Sequence, residues 1–189
     1  MKIGILAVQG AFIEHEKMLS DLGCDCVELR KKEDICSLDG IVLPGGESTV
    51  QGKLLHELSM YQPIAEMIQS DTPVLATCAG LILLAQNISN DDHVYFGTMP
   101  ITVKRNAYGR QLGSFTCQSD FADMKDVSMT FIRAPYIEQV DSGVDVLATV
   151  DNKMVAAQYK KQLGLAFHPE LDNDTRIHQY FLIMITNSI

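Results

Sequence analysis

The sequence predicts an α/β fold, with a mostly parallel central sheet and an antiparallel extension, and three observations carry that prediction. Apolar runs alternate with helical patterns three times in the first part of the chain, within Lys2–Leu22, Gly40–Leu58 and Thr72–Ala85. Strand-to-helix steps in succession require right-handed crossovers and therefore parallel strands. From Thr98 to Phe167 the pattern changes to short strand-like runs divided by Asp, Asn, Gly and Lys turns, as in antiparallel hairpins. The chain then closes on an amphipathic segment suited to pack against a sheet.

The elements follow in order. "KIGILAV" (Lys2 to Val8) is a continuous apolar run ending at Gln9 and Gly10, as a parallel strand buried on both faces would. Phe12, His15, Leu19 and Leu22 then recur at helical spacing, and Gly23 stands where the helix stops. "CDCVELR" is the next strand and "GIVLP" (Gly40 to Pro44) another. "GGESTV" punctuates the chain before "GKLLHEL" resumes a helical pattern. "TPVLATC" repeats the scheme, with a helix from Gly80. "TMPITV", "QLGSF", "MTFIRA", "DVLATV", "MVAAQY" and "LGLAFHP" are the strands of the second half. In the final segment Ile177, Tyr180, Phe181, Met184 and Ile185 share a helix face, with Asp172, Asn173 or Asp174 available as N-cap. Neither a repeat nor a linker divides the chain, so residues 1–189 are expected to form a single domain.

Composition narrows the function classes. A hydrophobic fraction of 47% with 21% charged residues is that of an ordinary globular protein, and no apolar run is long enough to span a bilayer. The N-terminal run carries one lysine, lacks a cleavage site and leads directly into "IEHEKM", so it reads as a first strand and not a signal peptide. A net charge of -9 would repel a phosphate backbone, which argues against nucleic acid or an anionic membrane as partner. Five cysteines, an odd number in a chain too large to need disulfide staples, suggest a reducing, cytoplasmic setting. Cys24 and Cys26 share one face of a strand, and with no second ligand pair at zinc spacing they read as packing.

The stretch "TCAGLILLA" (Thr77 to Ala85) holds the candidate chemistry. Ala76, Thr77, Cys78, Ala79 and Gly80 form a small-x-nucleophile-x-small pattern between a strand and a helix, the setting of a nucleophile elbow. A strand that turns at once into a helix leaves no room for β-carbons two residues either side of the apex, while the apex side chain is forced outward. The helix N-terminus there stabilises a thiolate and an oxyanion. An inert cysteine ending a strand is the plain alternative. A base is available in "AFHPEL", where Glu170 follows His168 at the distance at which an extended backbone returns side chains to one side. His15, His56 and His178 fall within helical patterns and His93 in a polar loop, so these four read as structural or solvent-facing. "PGGEST" lacks the lysine and glycine spacing of a phosphate loop, and its glycines suggest backbone N–H groups brought close to a ligand. "KRNAYGR" (Lys104 to Arg110) concentrates positive charge in an acidic chain, either as a solvated turn or as an arginine for a substrate carboxylate.

Taken together, "LAVQGA", "LPGGEST", "TCAGLILLA", "RNAYGRQ", "FIRAP" and "FHPEL", spread in this order from Leu6 to Leu171, resemble the glutaminase subunits of pyridoxal 5'-phosphate synthase. The elbow and "FHPE" are shared with class I glutamine amidotransferases generally; "VQGA", "RNAYGRQ" and "FIRAP" are more particular. The resemblance implies a three-layer, flavodoxin-like fold with helices on both sheet faces, and a triad of Cys78, His168 and Glu170. It also implies that Gly46, Glu47, Ser48, Arg105, Ile132 and Arg133 hold glutamine and that Gly46 and Ala79 supply the oxyanion hole. The implied reaction is hydrolysis of L-glutamine to L-glutamate and ammonia, with no metal or organic cofactor. The implied partner is a separate barrel-shaped synthase subunit, in a large hetero-oligomer, that receives the ammonia. Ala76 and Val50 depart from the family pattern, where glycine and threonine are commoner. Another amidotransferase subunit, a cysteine hydrolase with a similar elbow and a non-catalytic scaffold are the alternatives; the second usually carries histidine where Ala79 stands.

Overall fold

The structure is a computed structural model that describes residues 1–106 and 113–187. β1 (Lys2–Leu6) leads into α1 (Phe12–Asp21), β2 (Asp25–Leu29) and β3 (Gly40–Leu43). Then come α2 (Ser48–Glu57), α3 (Tyr61–Gln69), β4 (Val74–Thr77) and α4 (Ala79–Leu84). β5 (Ala85–Ile88), β6 (Met99–Lys104), β7 (Ser114–Phe121), β8 (Met124–Ile132), β9 (Tyr136–Val140), β10 (Val144–Val150), β11 (Lys153–Tyr159) and β12 (Gln162–Leu165) follow, and α5 (Arg176–Thr186) closes the chain.

The main sheet runs β2-β1-β3-β4-β12-β11-β9-β6-β5, with β10 beside β11. Its first five strands are mutually parallel, as the βα alternation predicts. From β12 to β11, β11 to β9 and β9 to β6 the pairing is antiparallel, which is the expected extension. β7 and β8 form a separate antiparallel hairpin.

Register shows helices on both faces. Gly40, Val42, Leu75 and Leu163 align on one face, where a β-carbon on Gly40 would meet Phe181 and Ile185 of α5. Leu43, Ala76 and Gly164 align on the other, where Gly164 lies against Leu81 of α4. α1 shares the α5 face, since His15 contacts His178 across the two helices. Strands covered on both sides must be apolar throughout, and β3, β4 and β12 are buried at every position.

Several elements differ from the sequence reading. The sequence reading assigns no helix between Leu58 and Thr72, yet α3 is a full helix with Pro63 inside it. Pro63 is its third residue, where the missing N–H would have had no helical partner anyway. The greasy helix after Cys78 is only six residues long and buried all round; at Ala85 the backbone turns extended and becomes β5. β5 and β9 carry few buried residues, too weak a pattern to announce a strand. The N-cap position of α5 is Thr175, not Asp172, Asn173 or Asp174, although the Asp174 carboxylate accepts the Arg176 N–H at 3.1 Å. Residues 111 and 112 of "QLGSF" lie outside the described residues. All five cysteines are free, and no helix among the described residues is long and apolar enough to cross a membrane.

Candidate active site

β4 ends at Thr77 and α4 begins at Ala79, so Cys78 alone makes the turn, with φ 47° and ψ -97°. Such a backbone is strained for any residue bearing a β-carbon, at a cost on the order of 1–3 kcal/mol. Neighbouring bonds hold it there: its N–H donates to Leu165 O of β12 at 2.8 Å, and its carbonyl accepts the Ile82 N–H at 3.3 Å. The turn is tight because a β-carbon on Gly80 would collide with the Leu43 carbonyl oxygen. On the other side of the apex Ala76 sits in regular strand, paired to Leu43 and Gly164, so alanine fits where glycine is commoner. Cys78 is buried except toward a cleft, and its thiol lies 4.0 Å from the Ile132 carbonyl.

His168 follows the end of β12, and because β12 is the parallel neighbour of β4 its ring comes to the elbow. Its N–H is anchored on Thr130 O of β8 at 2.8 Å. Pro169–Leu171 is a 3₁₀ turn, not the extended strand that the spacing suggested. The turn still brings Glu170 Oε1 to 2.7 Å from His168 Nδ1, on the ring that borders the same cleft as Cys78. A β-carbon on Gly45 would strike the His168 ring, so glycine at that position lets the loop after β3 close over the imidazole.

The electrostatics follow from these contacts. Burial works against a charge on His168, but the hydrogen bonds and charges of Cys78 and Glu170 outweigh it and push its pKa up to about 10. Burial also works against an ionised Glu170, yet His15 and His168 hold the carboxyl below its ordinary value. The ring at neutral pH is therefore held toward its charged form, between the Cys78 side chain and the Glu170 carboxylate. His15 and His178, which sequence reasoning set aside, are fully buried, and burial first of all pushes both below the usual histidine value. The available signal was their place on apolar helix faces, His15 with Phe12 and Leu19, His178 beside Ile177 and Phe181. His56 and His93 are exposed.

Above the thiol lies a cleft of about 230 Å³, lined by Gly46, Glu47, Ser48, Cys78, Arg105, Ile132, Arg133 and His168 together with Gln9, Gly10, Asn106 and Leu171. Every proposed glutamine-holding residue thus borders one space. Ala79 is buried at the first position of α4, where its N–H has no intrahelical acceptor. Ser48 Oγ is buried without a hydrogen-bond partner among the described residues. Arg133 pairs with Glu47 at 3.1 Å, whereas Arg105 is engaged by Asp91 and lies 3.3 Å from Thr49 Oγ1. The glycine loop is tied to the turn after β1: the Glu47 N–H donates to Gln9 Oε1 at 2.8 Å and the Ala11 N–H to Gly45 O at 3.0 Å. Gln9 received no role from sequence, although it stands within "VQGA". Of "RNAYGRQ", residues 107–111 lie outside the described residues.

The model of the SNO glutamine amidotransferase family matches residues 5–187. Pyridoxal 5'-phosphate synthase subunit PdxT of Desulfitobacterium hafniense strain Y51 is 59% identical over 188 residues, covering 99% of this chain and 94% of the relative. The protein of the same name from Streptococcus pneumoniae strain ATCC 700669 is 54% identical, with 97% of each chain covered. A crystal structure of a glutamine amidotransferase superposes with a TM-score of 0.92 at 37% identity, covering 97% of this chain and 98% of the other.

Proposed function

The chain belongs to the SNO glutamine amidotransferase family, and from that premise we propose that it hydrolyses L-glutamine through Cys78, His168 and Glu170 and delivers the ammonia to a pyridoxal 5'-phosphate synthase subunit. One observation carries the reading. A cysteine held at a strained apex faces the cleft, and the adjacent parallel strand brings to it a histidine whose far nitrogen is 2.7 Å from a buried carboxylate.

The mechanism follows from those positions. The Cys78 thiolate adds to the side-chain carboxamide carbon of glutamine, and the oxyanion is met by backbone N–H groups of Ala79 and of the Gly46 loop. The His168 imidazolium gives its proton to the departing nitrogen, the C–N bond breaks, and ammonia leaves a γ-glutamyl thioester. His168, now neutral, takes a proton from water; the resulting hydroxide cleaves the thioester, releasing glutamate and restoring the thiolate and imidazolium pair. Glu170 holds the ring in orientation and balances its charge throughout. Arg105 and Arg133 are suited to the α-carboxylate of the substrate and Glu47 to its ammonium. Ser48 Oγ, buried without a partner among the described residues, is available to the substrate, and Ile132 offers its backbone carbonyl beside the thiol.

Ammonia made without an acceptor is wasted, so the partner is expected to control the glycine loop. The ties from Gln9 and Ala11 to that loop give a surface turn leverage over the oxyanion donors. One donor contributes about 3 kcal/mol, enough for a small movement to switch activity. Glutamate release by the purified chain, alone and with the synthase subunit, tests the reading with Cys78→Ala as control. Release that rises with the partner and disappears in the variant is expected. Release indifferent to the partner would remove the pathway and the gating, and undiminished release by Cys78→Ala would remove the triad.

A further inference from the structure

Behind Glu170 lies a buried cluster that the reaction above does not use. His15 of α1 and His178 of α5 are both 0% exposed, as is Thr77, and they meet at the far side of the carboxylate. His15 Nδ1 is 2.9 Å from His178 Nε2, and His15 Nε2 is 3.2 Å from Thr77 Oγ1 and 3.3 Å from Glu170 Oε2. Glu170 Oε1 is committed to His168, while Oε2 has no well-formed hydrogen bond of its own among the described residues. A buried carboxylate with one oxygen held by a single partner is free to swing about that contact unless something restrains the other oxygen.

The proton positions on the two rings follow from elimination. If His15 carried its proton on Nδ1, its Nε2 lone pair would face Glu170 Oε2 at 3.3 Å, and His178 would bury an Nδ1–H with nothing to receive it. Buried N–H groups without acceptors are rarer and costlier than acceptors left unfilled. With the proton on Nε2, His15 donates toward Thr77 Oγ1 and Glu170 Oε2, and its Nδ1 accepts from His178 Nε2–H. A bare acceptor on His178 and the Thr77 hydroxyl hydrogen then remain, since Thr77 Oγ1 already accepts from Gly45; the deciding contact is the Glu170 carboxylate, which would otherwise face a ring lone pair at 3.3 Å.

We propose that His15 is a positioning residue of the glutaminase reaction: its Nε2–H, oriented by Thr77 and His178, restrains the Glu170 carboxylate so that Oε1 stays aimed at His168. This rests on the catalytic reading given above. The same threonine hydroxyl accepts the Gly45 N–H at 2.9 Å, so the restraint on the carboxylate and one anchor of the glycine loop share a single side chain. Burial keeps His15 below its ordinary pKa and so uncharged at neutral pH. The titratable groups facing this point are His168 on the same turn, His15 and the nearby Glu14 from α1, His178 from α5, and Cys78 beyond His168.

Gln and Met make the test sharp, because both are unbranched and of similar volume but only Gln ends in an N–H. The full-length chain, assembled with the synthase subunit, is assayed for glutamate release as wild type, His15→Gln, His15→Met and Cys78→Ala. His15→Met is expected to lower kcat about 10-fold with KM nearly unchanged, consistent with a slightly misplaced catalytic group. The acid limb of its pH profile moves to higher pH, because a less restrained and less supported Glu170 protonates more readily. His15→Gln is expected to recover most of both. Equal activity in the Gln and Met variants, or a change confined to KM, overturns the positioning role while leaving the triad intact. Full activity of Cys78→Ala overturns the triad itself. Nitrogen chemical shifts of His15 in the unaltered chain give a test independent of folding in the variants: the Nε2–H tautomer is expected, and the Nδ1–H tautomer overturns the proposal.

Discussion

Cys78 combines two demands that pull against each other: the turn needs a backbone that glycine tolerates best, and the site needs a side chain. The structure meets the second at the expense of the first, holding φ at 47° through bonds to Leu165 and Ile82. The strain can be read out by comparing two variants that both lack the sulfur. Cys78→Gly is expected to be more stable than Cys78→Ala by about 1 kcal/mol, since both lose the sulfur but only glycine relaxes the backbone. Urea denaturation of the pair checks this, and equal midpoints would mean that the turn is unstrained. The small residues around the elbow were legible in sequence because the steric requirement is local. Which of them truly needs to be glycine was not. Gly80 lies against the Leu43 carbonyl, a contact made by β3, whereas position 76 has room for a methyl group.

Among the elements, the β7–β8 hairpin stands apart from the main sheet; the Ala122 N–H at its turn donates to Leu147 O of β10 at 2.7 Å, and one side chain from α5 fastens the start of β8. Arg176 donates to Lys125 O at 2.7 Å and to Asp126 O at 2.9 Å, while Asp174 holds the guanidinium from behind. Arg176→Ala is expected to speed amide hydrogen exchange around the hairpin turn while changing global stability by under about 1 kcal/mol, because the side chain is partly exposed. A uniform rise in exchange across the main sheet would contradict this. The hairpin matters to the site because the Thr130 carbonyl of β8 anchors the His168 N–H, and the strand's last residue, Ile132, faces the thiol. The long βα repeats were readable because their apolar runs must be buried on both faces. β5 and β9 were not, since short strands with few buried positions carry almost no periodic signal.

For the whole molecule, the buried histidines set how stability depends on pH. His15 and His178 are held below their ordinary value of 6.5, so the stability they contribute is present above that pH and is lost as the pH falls below it. His168 has the opposite sign: raised to about 10, it contributes stability that is present below 6.5 and lost as pH climbs toward 10. Glu170, held low, adds to the loss only in stronger acid. Stability is therefore expected to peak near pH 6.5, with the acid side steeper because two histidines act there, each by at most about 1.4 kcal/mol per pH unit. Urea midpoints between about pH 5 and 9 check the shape, and a flat profile below 6.5 would show that the two rings are not buried as neutral groups. Sequence by itself determined the alternation of strands and helices, the elbow, the pairing of His168 with Glu170 and the family, because periodicity, local sterics and motif order are properties of neighbouring residues. Only the tertiary structure decided that β12 lies beside β4, which brings His168 to Cys78, and that α1 and α5 meet behind Glu170. Strand order and helix contacts are fixed by hydrogen bonds and burial between segments far apart in the chain, and no local pattern records which distant segment will be the neighbour.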